Sequence, residues 1–265
     1  MKYGSLFLAP LFDGHGCECA RDVLLRSSAD GDPWDEHSDL LNEHGNLELA
    51  VGGYLIRTGD RTVLVDAGVG TIDNGRYRGG QFLENLKLHG VEPEDVTDVV
   101  FTHLHFDHVG WATKKGEVVF QNATYRVHQR DWEHFVESPT AEPGAVRKLS
   151  PIANRLELFS QDGPIAPGID VKQTTGHTPG STTFIVSGGG RQAALIGDLA
   201  HTPVELETPD WHFYFDFDRD AATAARNHFV EEFVDTDTDI FASHFPGMRA
   251  GRLTRSAGVT KWTYS

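Results

Sequence analysis

Three histidines and an aspartate within six residues constrain this chain more than any other feature of its sequence. They lie in the run Phe101-Thr102-His103-Leu104-His105-Phe106-Asp107-His108. The preceding residues, 98–102, form an apolar and β-branched segment of the kind that predicts a buried strand. The cluster is therefore expected where a strand leaves a sheet, which is where α/β folds place their functional sites.

The spacing of these side chains suits metal binding. Alternate side chains of an extended segment point to the same side, so His103 and His105 can reach one ion together. Asp107 and His108 follow where the backbone must turn, and they can face a second ion. Imidazole with carboxylate suits zinc, and less specifically iron, manganese or cobalt. The alternative is a polar loop that is merely rich in histidine, and the residues downstream weigh against it.

The same arrangement recurs along the rest of the chain. Three more predicted strands are each followed by one residue of a ligand type, and these residues are His177, Asp198 and His244. Strand ends that share one edge of a sheet converge in space although they are distant in sequence. Together the four strand ends predict a metal centre.

Composition limits the classes of function. The chain has 265 residues, of which 39% are hydrophobic and 10% aromatic, so we expect a packed core and a single domain over residues 1–265. A net charge of −16 argues against binding to nucleic acid or to an anionic membrane. No apolar run approaches the roughly 20 residues of a membrane helix. The N-terminal segment is a poor signal peptide, and we expect a cytoplasmic protein.

Local patterns predict several elements. Residues 13–48 are polar and rich in glycine and acids, which favours an irregular insertion that serves as a lid or an oligomer contact, and a homodimer is left open. Residues 218–234 have a helical pattern, with Asp216 and Asp218 expected at the cap. Asp66 ends an apolar strand, where it either holds a ligand histidine or caps the glycine turn.

The motifs, taken together, resemble those of the metallo-β-lactamase superfamily. The resemblance is carried by the run 103–108, by Gly176-His177, Gly197-Asp198 and Ser243-His244, and by the turn Asp66-Ala67-Gly68. It spans roughly residues 49–247. It implies an α/β fold, an αββα sandwich in which two mixed β-sheets are flanked by helices.

Within that superfamily the chain is most similar to the quorum-quenching N-acyl homoserine lactonases and the methyl parathion hydrolase-like enzymes. The similarity implies a zinc-dependent hydrolase with two Zn²⁺ ions, and iron, manganese or cobalt as other candidates. The implied ligands are His103, His105 and His177 for one ion, Asp107, His108 and His244 for the other, and Asp198 as the bridge. His201 stands where one type of lactonase has tyrosine and the parathion hydrolase type has histidine.

The reaction implied by the resemblance is the hydrolysis of a small molecule by a hydroxide that the two ions share. The hydroxide attacks a lactone carbonyl, Asp107 passes a proton to the leaving alkoxide, and His201 helps to stabilise the oxyanion. A phosphotriester or a carboxylic or aryl ester is the alternative substrate. The aromatic side chains expected to wall the substrate pocket, with core packing as the alternative for several, are Phe106, Trp111, Trp211, Phe213 and Phe215.

Overall fold

Two mixed β-sheets face each other in the protein, which is described here by a computed structural model of residues 1–26 and 31–265. In chain order the strands are Lys2–Tyr3 (β1), Leu6–Cys19 (β2), Leu24–Arg26 (β3), Asn46–Thr58 (β4), Arg61–Val65 (β5), Tyr77–Arg78 (β6), Asp98–Val100 (β7), Thr113–Lys114 (β8), Glu117–Val118 (β9), Thr124–His128 (β10), Leu156–Phe159 (β11), Gly163–Ala166 (β12), Ile169–Gln173 (β13), Thr182–Gly188 (β14), Arg191–Leu195 (β15), Trp211–Phe213 (β16), Asp239–Phe241 (β17), Gly251–Ser256 (β18) and Val259–Tyr264 (β19).

Helices lie in the connections between these strands. The α-helices are Ala20–Val23 (α1), Phe82–Leu88 (α2), Gln129–Trp132 (α3), Pro143–Leu149 (α4), Pro203–Glu207 (α5) and Arg219–Phe233 (α6). Shorter 3₁₀ turns are Asp35–Leu40, Pro93–Asp95, Ser150–Arg155, Gly197–Leu199 and Pro246–Met248, and a π-helical turn is Glu133–Glu137. Among the described residues, none of the helices has the length and apolar character needed to cross a membrane.

Both sheets combine parallel and antiparallel pairs. The first has the order β1-β2-β4-β5-β7-β10-β11, with β6 also paired to β2, and it is parallel from β5 to β11. The second has the order β12-β13-β14-β15-β17-β18-β19, and its one parallel pair is β15 with β17. The fold class implied by the resemblance, an αββα sandwich, is confirmed.

Alternation along the strands creates the layers. In β5, Val63 and Val65 pack between the two sheets, whereas Leu64 points outwards and packs in the same cluster as Phe82 of α2. Successive strand residues face opposite sides, so a strand that is covered on both faces must be apolar throughout. In this way the sequence of each central strand places one helix layer outside each sheet.

The long helix α6 covers the outer face of the second sheet. Phe229 and Phe233 pack in one cluster with Ile185 of β14. The helix begins after Asp218, whose carboxylate accepts the N–H of Ala221 at 3.0 Å. The predicted helix and its cap at Asp218 are therefore confirmed.

The irregular insertion predicted for residues 13–48 is wrong over its first part. Residues 13–19 continue β2, which pairs with β4 as far as Cys19 opposite Asn46. The glycines that suggested a loop allow close approach of the chain, because a Cβ on Gly14 would lie 1.8 Å from the carbonyl oxygen of Arg78. Residues 27–30 lie outside the described residues. The role of this segment as a lid or an oligomer contact stays a prediction.

Candidate metal centre

Loops that follow five strands meet at one edge of the sandwich. In the first sheet β5 and β7 are parallel neighbours, and in the second β15 and β17 are parallel. Strand β13 points the same way as β15, because each is antiparallel to β14 between them. The residues that follow these strand ends are Asp66, His103, His105, Asp107, His108, His177, Asp198 and His244.

The seven side chains that the sequence suggests as ligands form two groups. The atoms that could bind a cation lie within 4.8 Å of one another in each group, one being His103, His105, His177 and Asp198, and the other Asp107, His108 and His244. The carboxylate of Asp198 contacts both groups, with Oδ2 lying 3.4 Å from Nε2 of His177 and 3.1 Å from Nε2 of His244. A bridging ligand requires this position between two ions.

Three of the buried groups, His103, His105 and Asp198, have charge states that are suited to binding cations. Burial, together with the neighbouring His108, holds the pKa of His103 well below its usual range. Burial and the adjacent His177 do the same to the pKa of His105. Although burial favours the neutral carboxyl group, the imidazoles around Asp198, above all His108, hold its pKa well below the usual range. Neutral imidazole and ionised carboxylate are the forms that ligate metals. The pKa of His108 is raised well above its usual range and that of His177 is raised, because at both residues the carboxylate of Asp198 outweighs the effect of burial.

Two buried atoms at the junction of the groups lack a hydrogen-bond partner. Nε2 of His108 and Oδ1 of Asp198 lie 3.1 Å apart, yet neither makes a hydrogen bond to the part of the chain that the structure describes. Nδ1 of His105 has two imidazole nitrogens within 3.0 Å, and its ring offers one N–H or none on that atom. An unsatisfied buried polar atom costs about 1–3 kcal/mol. Divalent cations would supply the missing partners, so the residues present fit the metals that the resemblance implies.

Asp66 holds one of the histidines. Its Oδ2 lies 2.8 Å from Nδ1 of His108, and its two oxygens accept the N–H and the hydroxyl of Thr102, both at 2.8 Å. The residue has a φ of 62°, a left-handed conformation that costs an ordinary side chain roughly 1–2 kcal/mol. The hydrogen bonds offset that cost. Of the two roles left open for Asp66, the structure places it on the histidine.

Two further histidines are held from outside the centre. Nδ1 of His177 lies 2.9 Å from Oδ1 of Asp216, and Nδ1 of His244 donates to the carbonyl of Ala50 at 2.8 Å. Such outer partners fix the orientation and the tautomer of a ligating imidazole. The expectation that Asp216 belongs to the helix cap is wrong, because the chain turns its carboxylate towards His177 before the helix begins.

His201 lies beside the carboxylate of Asp198, with Nε2 3.4 Å from Oδ2, and its ring stacks on Phe213 at 3.6 Å between centroids. On its other side Glu205 accepts the backbone N–H of His201 at 2.6 Å. Burial lowers the pKa of His201, but the carboxylates of Glu205 and Asp198 outweigh it and raise the pKa to about 10. Sequence reasoning missed Glu205, although Thr202 and Glu205 have the spacing of a capping box that marks the start of α5.

A cleft of about 400 Å³ opens over the two groups of ligands. Phe106, Phe213 and Phe215 line it, as the sequence suggests. Phe106 is 51% exposed and Phe215 52% exposed, whereas Phe213 is almost buried. These rings form an apolar wall beside the candidate metal centre.

The two tryptophans predicted for the pocket lie elsewhere. Trp111 belongs to the core beneath the first sheet, and its indole N–H donates to the carboxylate of Asp13 at 3.0 Å. Trp211 is fully buried and contacts Trp34 with ring centroids 5.1 Å apart. Both predictions are wrong because the two indoles pack in hydrophobic clusters inside the protein and do not line the cleft.

Asp131 joins two of the loops that carry candidate ligands, and no motif in the sequence indicates it. Its carboxylate accepts the N–H of Leu104 at 3.2 Å, between the first two histidines. It also accepts the N–H of Gly180 at 2.6 Å and the hydroxyl of Thr178 at 2.9 Å, beside His177. The buried side chain of Asp131 therefore couples the position of the loop that carries His103 and His105 to that of the loop that carries His177.

Asp131 should make stability depend on pH. Burial raises its pKa to about 6, despite the hydrogen bonds that it accepts. Because the pKa is higher in the folded chain than the roughly 3.9 of an unfolded one, the contribution of Asp131 to stability is complete below about pH 4 and is lost as the pH rises through 6. The free energy of unfolding of the wild type, minus that of Asp131→Asn, should fall between about pH 4 and 7 and then level off. Chemical denaturation of both proteins measures this difference, and a difference that does not vary with pH would contradict the assignment.

Known proteins share the motifs and the arrangement of this chain. The family model of the metallo-beta-lactamase superfamily matches residues 50–244. An N-acyl homoserine lactonase of Bacillus cereus is 26% identical over 221 residues, which cover 76% of this chain and 83% of that protein. Another, from a Bacillus species, is 29% identical over 159 residues, and the match spans only 59% of its length and 53% of this chain.

Solved structures are similar over the whole chain. The dizinc quorum-quenching lactonase AidC, in complex with a product, has a TM-score of 0.88 at 25% identity, and the alignment covers 100% of this chain and 96% of that one. The hydrolase AbOPH of the beta lactamase superfamily has a TM-score of 0.85 at 24% identity, with 99% and 95% covered. The second similarity shows the fold alone.

Proposed function

Since the chain belongs to the metallo-beta-lactamase superfamily and is a metal-dependent hydrolase of that superfamily, we propose that it opens the ring of N-acyl homoserine lactone-like substrates. The observation that carries the proposal is the carboxylate of Asp198, which contacts both groups of candidate ligands below an apolar cleft. The names of the relatives from Bacillus and of AidC support the substrate class. Quorum quenching is the biological role that such an activity would have.

The proposed centre holds two ions, with zinc favoured because imidazole with carboxylate is a typical zinc ligand set. Its ligands are His103, His105 and His177 at one site, Asp107, His108 and His244 at the other, and Asp198 between them. When bound, the two cations supply Lewis-acid polarisation of the substrate carbonyl and ionisation of water near neutral pH. Asp66 and Asp216 keep the imidazoles in the orientation that this requires.

Asp107 and His201 are proposed to handle charge and protons. Hydrolysis adds water across the ring ester bond, so the alkoxide that leaves must gain a proton. Asp107 lines the cleft, with Oδ2 3.5 Å from Nε2 of His244, and we assign the delivery of that proton to its carboxyl group. His201 can donate from Nε2 to the oxygen that becomes negative when the carbonyl is attacked. The products are a free carboxylate and a hydroxyl group on one open chain.

The aromatic wall is proposed to bind the acyl arm of the lactone. Phe106 and Phe215 present roughly half of their surface to the cleft, and burial of apolar surface provides about 25 cal/mol per Å². Phe213 is held against His201 and keeps the imidazole in place. The wall also keeps water away from the apolar arm while the ring is attacked.

A second candidate is the hydrolysis of phosphotriesters or of carboxylic and aryl esters at the same centre. The exposed rings of Phe106 and Phe215 favour it, because aromatic surface in the cleft suits an aryl leaving group. The two candidates share the metal ligands and differ in the group that leaves. The expected cytoplasmic location, the single domain and the homodimer stay predictions.

A substrate panel on the metal-loaded protein tests the proposal. We expect about two ions per chain after loading with Zn²⁺, Mn²⁺, Co²⁺ or Fe²⁺, and the highest kcat/KM on N-acyl homoserine lactones, followed as acid release by pH-stat. An aryl ester and paraoxon provide the comparison, and chelator-treated protein is the control. A higher kcat/KM on paraoxon or on the aryl ester would favour the second candidate, and no turnover by fully metallated protein would reject both.

A further inference from the structure

The cleft has a polar wall as well as an aromatic one. The polar wall consists of Glu18, Asn74, Arg76 and Tyr77, which line the same cleft as Asp107. Glu18 comes from β2, Asn74 and Arg76 come from the turn that leads into β6, and Tyr77 is the first residue of β6. None of them belongs to the motifs from which the sequence predicted a metal centre.

Glu18 is the anchor of the polar wall. Its side chain is only 5% exposed, and each carboxylate oxygen is engaged. Oε1 accepts the hydroxyl of Tyr77 at 2.8 Å, and Oε2 pairs with Nη2 of Arg76. Because Arg76 is more than half exposed, solvent screens the ion pair, and such a pair adds little to stability. Stability alone therefore does not explain why this chain has an ion pair at the cleft.

The polar wall is fixed in position. The side-chain oxygen of Asn74 accepts the backbone N–H groups of Arg76 and Tyr77 at 3.0 and 2.7 Å. The ring of Tyr77 lies over Gly16, where an added Cβ would be 2.5 Å from Cε1. It also contacts the ring of Phe106 at 4.9 Å between centroids. Arg76 precedes Tyr77 in the chain, and Phe106 precedes Asp107. The contact between Tyr77 and Phe106 therefore sets the position of the Arg76 backbone with respect to the candidate centre.

Arg76 can donate hydrogen bonds to a bound molecule. The guanidinium group carries five N–H donors in a rigid fork, Glu18 pairs with its Nη2 end, and 56% of the side chain is exposed. The charge of Arg76 is balanced by Glu18. This balance disfavours an anionic partner and favours a neutral oxygen acceptor such as a carbonyl group.

We propose that Arg76, oriented by Glu18, forms a subsite for the third carbonyl oxygen of an N-(3-oxoacyl) homoserine lactone, the one on the acyl arm beyond the amide. The subsite makes the enzyme select lactones whose arm carries an oxo group over lactones with a plain alkyl arm. This inference rests on the proposed lactonase function. The oxo lactone gains a hydrogen bond to the charged guanidinium group that a lactone with a plain alkyl arm cannot make.

Paired ligands test the subsite. The substrates are an N-(3-oxoacyl) homoserine lactone and the N-acyl homoserine lactone of the same chain length, compared by kcat/KM on zinc-loaded protein. The two ring-opened products are compared by calorimetric Kd, which does not depend on turnover. Arg76→Met keeps the length of the side chain and removes the donors. Arg78→Met is the matched control, because Arg78 lies two residues further along the same segment, pairs with Asp73 and does not line the cleft.

We expect the wild type to prefer the oxo lactone and the oxo product by about 10-fold, and Arg76→Met to lower both ratios towards 1. Arg78→Met should keep the wild-type ratios, and Glu18→Gln should lower them in part by releasing the guanidinium group. Ratios near 1 in the wild type, or equal ratios in the wild type and Arg76→Met, would overturn the subsite while leaving lactone turnover intact. Tighter binding of the oxo product through Arg76 without lactone turnover would instead support the subsite and reject the proposed function.

Discussion

Asp198→Ala should remove bound metal and hydrolytic activity together, and its effect should be the largest of any single substitution at the site. Five histidine side chains place a nitrogen within 3.6 Å of this buried carboxylate, and they are His103, His108, His177, His201 and His244. Without its negative charge, two cations would share a site with only one carboxylate ligand, Asp107, and their mutual repulsion would be screened by less charge. Loss of an outer partner of a ligand costs about 10–100-fold in metal affinity or activity, and loss of the bridge should exceed that range.

Two measurements check this prediction. Metal per chain after dialysis, by elemental analysis, should fall below two for Asp198→Ala, and kcat/KM should fall with it. Asp198→Asn keeps the shape of the side chain and removes its charge, so it should resemble the alanine variant if the charge is what holds the ions. Normal metal content with normal turnover in either variant would rule out the bridging role of Asp198.

Asp13→Ala should lower the free energy of unfolding more than any of the other substitutions at buried polar residues named above. The side chain is fully buried, and its two oxygens accept four backbone N–H groups and one indole N–H. The donors belong to Val69, Gly70, Gly80, Phe82 and Trp111, at 2.9 to 3.0 Å. Alanine would leave buried donors without partners at about 1–3 kcal/mol each. With relaxation and entry of water, we expect the free energy of unfolding to fall by about 4 kcal/mol or more.

The same substitution should also disturb the site from a distance. Asp13 connects the turn after Asp66, the start of α2 and the segment that follows His108, so their mutual positions depend on it. Denaturant unfolding measures the loss of stability. Asp170→Ala is the matched control, since Asp170 is an exposed aspartate within a strand, and it should change stability by less than about 0.5 kcal/mol. Equal effects of the two substitutions would refute the role of Asp13.

Long-range hydrogen bonds explain which residues could not be predicted from the sequence. Asp131 reaches Gly180 across 49 residues, and Asp13 reaches Trp111 across 98. Neither has a local motif, because the partners that give these carboxylates their role are brought close only by the folded sheets. The polar wall is a similar case, since Glu18 on β2 pairs with Arg76 across 58 residues.

The aromatic residues show a second limit. Phe106 lies within the histidine run and Trp111 three residues after it, yet Phe106 lines the cleft and Trp111 lies in the core. Both side chains are hydrophobic and aromatic, so the sequence does not distinguish their positions. Only the direction in which the backbone turns decides which of them reaches the cleft. The glycines at the start of the predicted insertion led to a wrong prediction for a related reason. In the sequence they suggest a loop, whereas in the structure Gly14 allows two strands to approach each other closely.

The sequence by itself determined the fold class and which side chains gather at the strand ends. Metal binding restricts the residue types that can follow each strand, and strand periodicity restricts the positions of those residues. Both restrictions act on neighbouring residues and can therefore be recognised in the sequence. Tertiary structure alone decided how the histidines are held, which aromatic rings line the cleft, and that Arg76 lines the same cleft. Those features depend on contacts between segments far apart in the chain, and such contacts have no fixed spacing that a sequence could display.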